Sequence, residues 1–358
     1  MNINLAKFAM KPGLGCLLVT AFVVAFMAGK TPSLHAEDRR PDCTPEKVLT
    51  GVRQFFAQTS QEDGIFRPGI DPEYEGMSDC AFSDLAAVTY AVTLHKTFGW
   101  QLPYENKTRG FLLARQNEDG SFFNVKGTAD PKSPLARLYN TTQGLVALHA
   151  LGAKPRYDPI GVFNDVLKAD YQSLPPYSSS FFPLAFLASG NTFPSEQDRI
   201  IRETMVQAED GCLNNHVAAT FHMVHYLRLL HEKPPKAEAM TKRVLRDQKP
   251  DGSWLLNPPA RDRHATFDAV FILHQLGGNR ADCRKAIDKA AQWALKCRNP
   301  DGGFGHFEGG TSDADAVYFQ VGVLVMSGFL KPADPMPKDP HLLSWGHLMP
   351  PLPVRWER

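Results

Sequence analysis

Two short motifs in the last third of the chain each carry two acidic or imidazole side chains, two residues apart. They are Asp262-Arg-His264 and Asp313-Ala-Asp315, and a further histidine, His216, precedes them. Groups of these types transfer protons to and from substrates, and they also bind divalent metal ions. No Gly-x-Ser-x-Gly motif, P-loop or dinucleotide fingerprint accompanies them. The chemistry of the chain therefore depends on whether the fold brings these side chains together.

One repeated sequence motif predicts the helices and turns that position these groups. An apolar helical stretch is followed by a polar residue, Asp-Gly and an aromatic residue, as in Gln116-Asn-Glu-Asp-Gly-Ser-Phe122 and Gln248-Lys-Pro-Asp-Gly-Ser-Trp254. Looser copies contain Asp63-Gly64, Asp210-Gly211 and Asp301-Gly302. Glycine permits the positive φ of a tight turn, and the Asp carboxylate accepts backbone N–H groups there. A second apolar helix follows each turn, so the repeating unit is a helical hairpin of roughly 40–55 residues.

Six such units are predicted, and their second helices are apolar almost all round. These second helices are predicted to be Ser83–Phe98, Leu135–Leu151, Ser178–Ala188, Asn214–His231, Arg263–Leu276 and Asp315–Phe329. A helix that is apolar on every face is buried, whereas first helices such as Ala281–Arg298 alternate charged with apolar faces. The predicted fold class is therefore all-α: an (α/α)6 toroid of six helical hairpins, with an inner and an outer ring of helices.

The starts of the inner helices meet at one end of such a ring. Aligning the units on the glycine that ends each second helix gives the residues at this mouth: Tyr139, His216, His264 and Asp315 at one position, and Arg137, Asp262 and Asp313 two residues earlier. These side chains are predicted to share the mouth of a central cavity. A simpler interpretation is open for each of them, since Asp, Ser and Thr are the preferred N-caps and an acid in the first turn complements the helix dipole.

The first 36 residues are predicted to be a secretory signal peptide. Lys7 and Lys11 precede an apolar run from Leu14 to Gly29, and Ala36 offers a cleavage site. An uncleaved signal anchor is the alternative, and no transmembrane domain is expected in the mature chain. The protein is therefore expected to be exported, either to a periplasm or to the medium.

Charge and cysteine usage exclude two classes of protein. The formal net charge is +1 and the chain has no basic run, which argues against nucleic acid as a partner. Five cysteines follow the predicted signal peptide, and an odd, scattered set is neither a disulfide framework nor a Cys-x-x-Cys zinc site.

The repeat resembles that of a known group of proteins. Gln-x-x-Asp-Gly-x-Phe/Trp, followed by an apolar helix that ends in Leu-Gly, is similar to the repeat of protein prenyltransferase β subunits and of squalene and oxidosqualene cyclases. The resemblance covers about residues 45–330, and it implies a toroid domain over 37–330. The Pro-rich segment 331–358 is expected to follow as an extended strap. The same ring also serves as a binding domain in other proteins, so the resemblance specifies fold more than activity.

The resemblance implies two sets of roles at the mouth. In the prenyltransferases, Asp-x-Cys and a histidine hold zinc, so Asp262, His264 and Asp315 are the predicted ligands of a divalent metal such as zinc, although no cysteine stands among them. In the cyclases, Asp-x-Asp-Asp protonates an alkene or an epoxide, and Asp313-Ala-Asp315-Ala keeps two of its acids. The predicted catalytic residues are then Asp315, Asp313 and His264. The predicted ligand-binding residues are Tyr139, His216 and Arg137.

The function predicted on this basis is that of an exported terpenoid cyclase- or prenyltransferase-like protein with a central cavity for an apolar or isoprenoid-type ligand. The alternative is a non-catalytic toroid that binds a partner protein or a glycan. An apolar cavity of useful volume favours the first, and a plugged centre with a polar outer groove favours the second. A polysaccharide lyase is a third alternative, for which Arg137 and Arg263 are the basic residues at the mouth.

Overall fold

Two concentric rings of helices make up the protein. The computed structural model describes residues 43–171, 174–256 and 263–352, so the predicted signal peptide lies outside the described residues. In chain order the α-helices are α1 (Pro45–Thr59), α2 (Ser78–Phe82), α3 (Asp84–Thr97), α4 (Glu105–Ala114), α5 (Pro134–Ala150), α6 (Ile160–Asp170), α7 (Phe181–Ala188), α8 (Ser195–Glu203), α9 (Val217–Leu229), α10 (Ala237–Arg246), α11 (Ala265–Gly277), α12 (Ala281–Lys296) and α13 (Ala314–Met326).

The inner helices close into a ring through contacts between neighbours. α3 packs against α5, α5 against α7, α7 against α9, α9 against α11 and α11 against α13, and α13 returns to α3. The outer helices α1, α4, α6, α8, α10 and α12 each precede one inner helix, and the short α2 is inserted before α3. The predicted all-α toroid of six helical hairpins is confirmed. Each inner helix begins and ends within three residues of its predicted bounds.

Asp-Gly turns join the outer to the inner helix in five of the six hairpins. In the second hairpin, Asp119 accepts the backbone N–H of Ser121 at 2.9 Å, and Gly120 has a φ of +85°. A Cβ at Gly120 would lie 2.1 Å from the carbonyl oxygen of Asp158, so only glycine fits this turn. The following aromatic residue, Phe122, is fully buried against α5. The repeated Asp-Gly-x-aromatic motif thus determines both the turn and the packing of the outer ring of helices on the inner ring.

Burial separates the two rings as the apolar pattern predicts. The inner helix α13 buries every residue except Val325, whereas the outer helix α10 buries Met240, Thr241 and Val244. The five cysteines of the described residues carry free thiols. None of the helices in the described part of the chain is both long enough and apolar enough to span a membrane.

Residues 331–352 cross the end of the ring at which the inner helices finish. The N–H of Ala333 donates to the carbonyl of Thr97 at the end of α3, and the N–H of Leu352 donates to that of Gln275 near the end of α11. The segment contains one short 3₁₀ turn, Pro340–Leu342. Between these attachments it buries several side chains inside the ring: Leu342, Leu343, Trp345, His347, Leu348 and Met349. The strap thus fills this end of the toroid as well as crossing it.

Candidate active site

Three carboxylates and two imidazoles lie together beside the start of α13. Asp315 lies in α13 and Asp313 is the residue before it. Asp79 lies in α2, His264 is the residue before α11, and His306 lies in the loop between α12 and α13. We refer to these five side chains as the acid cluster. Asp313, Asp315 and His306 are almost completely buried, and Asp79 and His264 keep some accessible surface.

Asp315 stands at the centre of the acid cluster. Its Oδ1 lies 2.8 Å from Nε2 of His306, and its Oδ2 lies 3.6 Å from Nε2 of His264. Oδ2 also accepts the backbone N–H of Asp79 at 3.0 Å. Burial by itself would raise the pKa of Asp315, but the two imidazoles and their hydrogen bonds hold that pKa well below its ordinary value. Asp315 is therefore the ionised member of the cluster.

Asp313 caps α13. Its Oδ1 accepts the backbone N–H of Asp315 at 3.1 Å, and its Oδ2 accepts the Tyr74 hydroxyl at 2.8 Å and the Met77 N–H at 2.7 Å. The helix-cap interpretation of this residue is therefore correct. Burial and the neighbouring charge of Asp315 raise the pKa of Asp313 to about 9.

Asp79 connects the acid cluster to the interior of the ring. Its carboxylate accepts a hydrogen bond from the Tyr90 hydroxyl, and this hydroxyl in turn accepts the indole N–H of Trp345 at 3.0 Å. Burial raises the pKa of Asp79; the nearby His264 opposes this shift and the charge of Asp315 adds to it. Burial and the neighbouring charge of Asp315 therefore favour the protonated form of both Asp313 and Asp79.

A cavity of about 400 Å³ opens beside Asp79. Ligand pockets in proteins have volumes of about 300–1,000 Å³, so this space suits a small molecule. Residues on or beside every inner helix except α3 line it, and Asp79 in α2 stands before α3. Aromatic rings form much of its wall: Phe82, Tyr139, Tyr177, Phe181, Phe221, Phe319 and Trp345.

The predicted mouth residues divide into three groups. Tyr139, His216 and His264 line the cavity. Asp313 and Asp315 lie together behind Asp79, where the acid cluster joins them to His264.

The remaining predicted residues lie elsewhere. Arg137 is not among the residues that line the cavity; its guanidinium donates to Asp119 of the Asp-Gly turn at 3.1 Å. Asp262 lies outside the described residues. Arg137, one of the two basic residues considered for a lyase, is therefore bonded to an Asp-Gly turn and does not face the cavity.

The charge of the cavity wall limits its ligands. Among the described residues that line the cavity there is no lysine and no arginine. A diphosphate group would find no lysine or arginine among these described residues, whereas an apolar chain would contact aromatic rings. Such rings also stabilise a cation that develops close to their faces.

The geometry of the acid cluster can be compared with that of a zinc site. Two ligand atoms that each lie about 2.0–2.1 Å from a tetrahedral zinc are separated by about 3.3 Å. The 2.8 Å between Asp315 Oδ1 and His306 Nε2 is shorter and is within direct hydrogen-bonding distance. Cys80 Sγ also lies close to Asp313 and Asp315 and adds a sulfur that the sequence interpretation did not include. Zinc binding stays a prediction.

Sequence reasoning missed four residues of this site: Asp79, Tyr90, His306 and Trp345. Asp79 lies in α2, an insertion that the other units lack, so the repeat register gives it no equivalent. His306 follows the Asp301-Gly302 turn by a few residues, in a loop with no helical period. Of the four, Trp345 alone gave a signal in the sequence. A tryptophan within the Pro-rich segment indicates a buried contact, because a large aromatic side chain is rarely left in solvent.

A closed ring of six helical hairpins with a ligand-sized cavity inside it defines an α/α toroid. The family model of the prenyltransferase alpha-alpha toroid domain matches residues 33–153 and 182–348, and the chain belongs to this family. This confirms the resemblance that the repeat predicted. A comparison with curated proteins gave no match.

Several solved structures share the fold. The type II terpene cyclase MstE from Scytonema, without ligand, superposes with a TM-score of 0.55 and 14% identity, over 80% of this chain and 98% of that one. A variant of the same cyclase with merosterolic acid A as product has a TM-score of 0.51 and 14% identity, over 80% and 96%. Candida albicans protein geranylgeranyltransferase-I with GGPP has a TM-score of 0.54 and 14% identity, over 74% and 91%. At such identity the similarity shows the fold alone.

Proposed function

We propose that this protein is an isoprenoid cyclase that starts its reaction by protonating a carbon–carbon double bond, with Asp79 as the acid. The observation that supports this most directly is the position of Asp79. It is the carboxyl group of the acid cluster that lines the aromatic cavity, and Asp315 and the two imidazoles stand behind it. A general acid has to reach the atom that it protonates, and Asp313 and Asp315 are not among the lining residues.

The proposed reaction moves one proton in and one proton out. The Asp79 carboxyl gives its proton to one carbon of a terminal double bond, and the other carbon becomes a tertiary cation. The π electrons of a more distant double bond attack this cation and form a ring. Loss of a proton from a neighbouring carbon then creates a new double bond, so the overall change is an isomerisation that needs no oxidant or reductant.

The surroundings of Asp79 suit this role. Burial, with the negative charge of Asp315 as a smaller contribution, raises the pKa of Asp79 against the opposing effect of His264, and this favours a protonated Asp79 before the reaction and its reprotonation afterwards. The Tyr90 hydroxyl, held by the Trp345 indole, fixes the direction in which the carboxyl points. The Phe319 ring, which lines the cavity and stacks on His264 at 3.7 Å, is placed to stabilise a nearby cation.

A polyprenyl chain is the substrate class that we propose. One structural neighbour, a variant of the Scytonema cyclase with a TM-score of 0.50, is a complex with geranylgeranyl dihydroxybenzoate as substrate, and the Candida transferase holds GGPP. The absence of lysine and arginine among the described lining residues favours protonation of an alkene over ionisation of a diphosphate. The apolar cavity also supports this function over that of a ring that binds a protein or a glycan.

We further propose that the protein is exported, on the basis of the signal-like N-terminal 36 residues. The mature protein isolated from its own host would then begin at Glu37. Intact mass of that material decides the matter, because an N-terminus at Met1 would contradict cleavage.

The experiment that tests the cyclase proposal is turnover in heavy water. The purified protein is incubated in D2O with polyprenyl compounds of increasing length that carry no diphosphate, and the extract is examined by gas chromatography and mass spectrometry. We expect a cyclised isomer that contains one deuterium more than the substrate. Asp79→Asn should lower its formation by about 10²- to 10⁴-fold, since general acid catalysis contributes about that much.

Asp288→Asn serves as the matched control, because Asp288 is exposed on the outer helix α12. This variant should keep the wild-type rate. A wild-type protein that cyclises none of these compounds would overturn the proposal, as would full activity in Asp79→Asn.

A further inference from the structure

A second titratable group faces the cavity from the opposite side of the ring. Asp79 lies in α2, which packs against α3 and α13. His222 lies in α9, and in the order α3, α5, α7, α9, α11, α13 the helix α9 stands three places from α3. A ligand in the cavity therefore has the acid cluster on one side and an imidazole on the other.

Aromatic rings enclose His222. The centroid of its ring lies 4.8 Å from that of Phe221, 5.5 Å from Phe181 and 5.6 Å from Trp345. Burial, with the neighbouring histidines as a smaller contribution, lowers the pKa of His222 well below its ordinary value. The imidazole keeps some accessible surface, and it keeps this surface because it lines the cavity. A neutral imidazole therefore faces the space in which a cation would form.

One nitrogen of this ring is engaged and the other is available. Nδ1 of His222 lies 2.7 Å from Oγ of Ser180, in the residue before α7. When Nδ1 carries the proton and donates it to Ser180, Nε2 has a free lone pair. Within the described residues Nε2 of His222 has no hydrogen-bond partner. Ser180 is thus a positioning residue that fixes the orientation of the imidazole ring, while its hydroxyl, which both donates and accepts, is compatible with either tautomer.

We infer that His222 is the base that ends the proposed cyclisation by taking a proton from the cyclised cation. This inference rests on the proposed function and adds to it the residue that decides which alkene is released. The Nε2 lone pair binds a proton of a carbon next to the cationic centre, and the C–H electron pair becomes the new π bond. The imidazolium that results is stabilised by the surrounding rings until it passes its proton to water.

Asp268 is the competing base. It lies on α11, also lines the cavity and is 2% exposed. It stands in the inner helix between α9 and α13, so it is closer along the ring to the acid cluster than His222 is. A carboxylate there could remove a proton from a different carbon of the same cation.

The test compares product distributions of His222→Gln, Asp268→Asn and Ser180→Ala in the full-length protein with the substrate that the wild type cyclises. Glutamine keeps a hydrogen-bonding group of similar length but cannot accept a proton at neutral pH. We expect His222→Gln to consume substrate, since Asp79 is intact, while the share of the wild-type alkene falls about tenfold or more. Other alkene isomers or an alcohol formed by water capture should replace it. Ser180→Ala should shift the same product ratio in the same direction, but by less.

His225→Gln is the matched control. His225 is buried on the same helix, one turn further on, and is not among the lining residues. It should keep the wild-type product.

An unchanged product from His222→Gln, or the loss of that product from Asp268→Asn alone, would overturn the inference while the proposed function stands. Failure of the wild type to cyclise any polyprenyl compound would overturn both. Nitrogen NMR gives a readout that needs no turnover: His222 should be neutral at pH 7 with the proton on Nδ1, and a proton on Nε2 would contradict the assigned role.

Discussion

Replacing Trp345 tests whether the C-terminal strap is part of the cavity. This side chain is 4% exposed, donates its indole N–H to Tyr90 at 3.0 Å, and lines the cavity beside Phe181. Its backbone N–H donates to the Tyr318 hydroxyl at 2.9 Å, so the strap is held here by two tyrosines of the inner ring. Trp345→Ala removes the ring contacts and the bond to Tyr90, while Trp345→Phe removes mainly the bond.

The expected effect follows from burial. Truncating a buried tryptophan to alanine costs about 3–5 kcal/mol, and the lower end applies because one side of the ring borders the cavity. Loss of the hydrogen bond alone in Trp345→Phe costs about 1 kcal/mol. For a domain of this size 1 kcal/mol shifts the melting temperature by about 2–4 °C. Trp345→Ala should therefore lower it by about 6–12 °C, and Trp345→Phe by about 2–4 °C.

Differential scanning calorimetry measures both variants against Met336→Ala. Met336 lies in the same strap, but it is 54% exposed, and its truncation should change the free energy of unfolding by less than about 0.5 kcal/mol. A melting temperature of Trp345→Ala within 1 °C of the Met336→Ala value would refute the packing argument. A second readout is the length of the polyprenyl chain that is accepted, which should increase in Trp345→Ala because the cavity deepens toward the strap.

Three further predictions concern the turn, the acid cluster and the metal. Gly152→Ala should lower the free energy of unfolding in urea by about 1–2 kcal/mol, because Gly152 has a positive φ. Gly120→Ala should lower it by more, because Gly120 also has a positive φ and, in addition, a backbone carbonyl oxygen 2.1 Å from the added Cβ. Asp313 has a pKa of about 9 against an ordinary value of 3.8, so its contribution to stability is full below pH 3.8 and is lost as the pH rises through 9. Unfolding of Asp313→Asn should therefore depend less on pH in that window, by up to about 1.4 kcal/mol per pH unit; an unchanged slope would contradict the raised pKa. If the predicted zinc is bound, elemental analysis of protein purified without chelator should give one equivalent that His264→Ala loses, and a metal-free wild type would remove the prediction.

The fold could be predicted because its two determinants are local in sequence. Inner helices such as α13 are apolar on every face, which leaves burial as the only stable arrangement. The Asp-Gly turns fix where each hairpin reverses, because the Gly120 backbone conformation excludes other residues. Both signals repeat along the chain, and the six repeats predict a ring of six helical hairpins.

The candidate site could be predicted only in part. His264, Asp313 and Asp315 were found because they occupy helix starts, and helix starts in a toroid share one end. Asp79 could not be found in this way, since α2 interrupts the repeat, and the proximity of Asp79 to Asp315 depends on a tertiary hydrogen bond between residues 236 positions apart. Trp345 reaches the cavity from a segment without periodic structure, whose path is set by its contacts with Tyr90 and Tyr318.

The helix-cap and catalytic interpretations of the mouth residues need not be alternatives. Asp313 caps α13, and the next carboxyl, Asp315, lies in the first turn of this helix and away from water. A buried carboxylate needs polar partners, and the Nε2 atoms of His264 and His306 lie 3.6 Å and 2.8 Å from its oxygens. Burial raises the pKa of the third carboxyl, Asp79 on the cavity wall, and the charge of the ionised Asp315 adds to this shift, whereas His264 opposes it. The structural cap and the proposed proton donor are therefore two ends of one electrostatic arrangement. In this arrangement, loss of the charge at Asp315 should lower the pKa of Asp79, because the charge that disfavours its ionisation is gone.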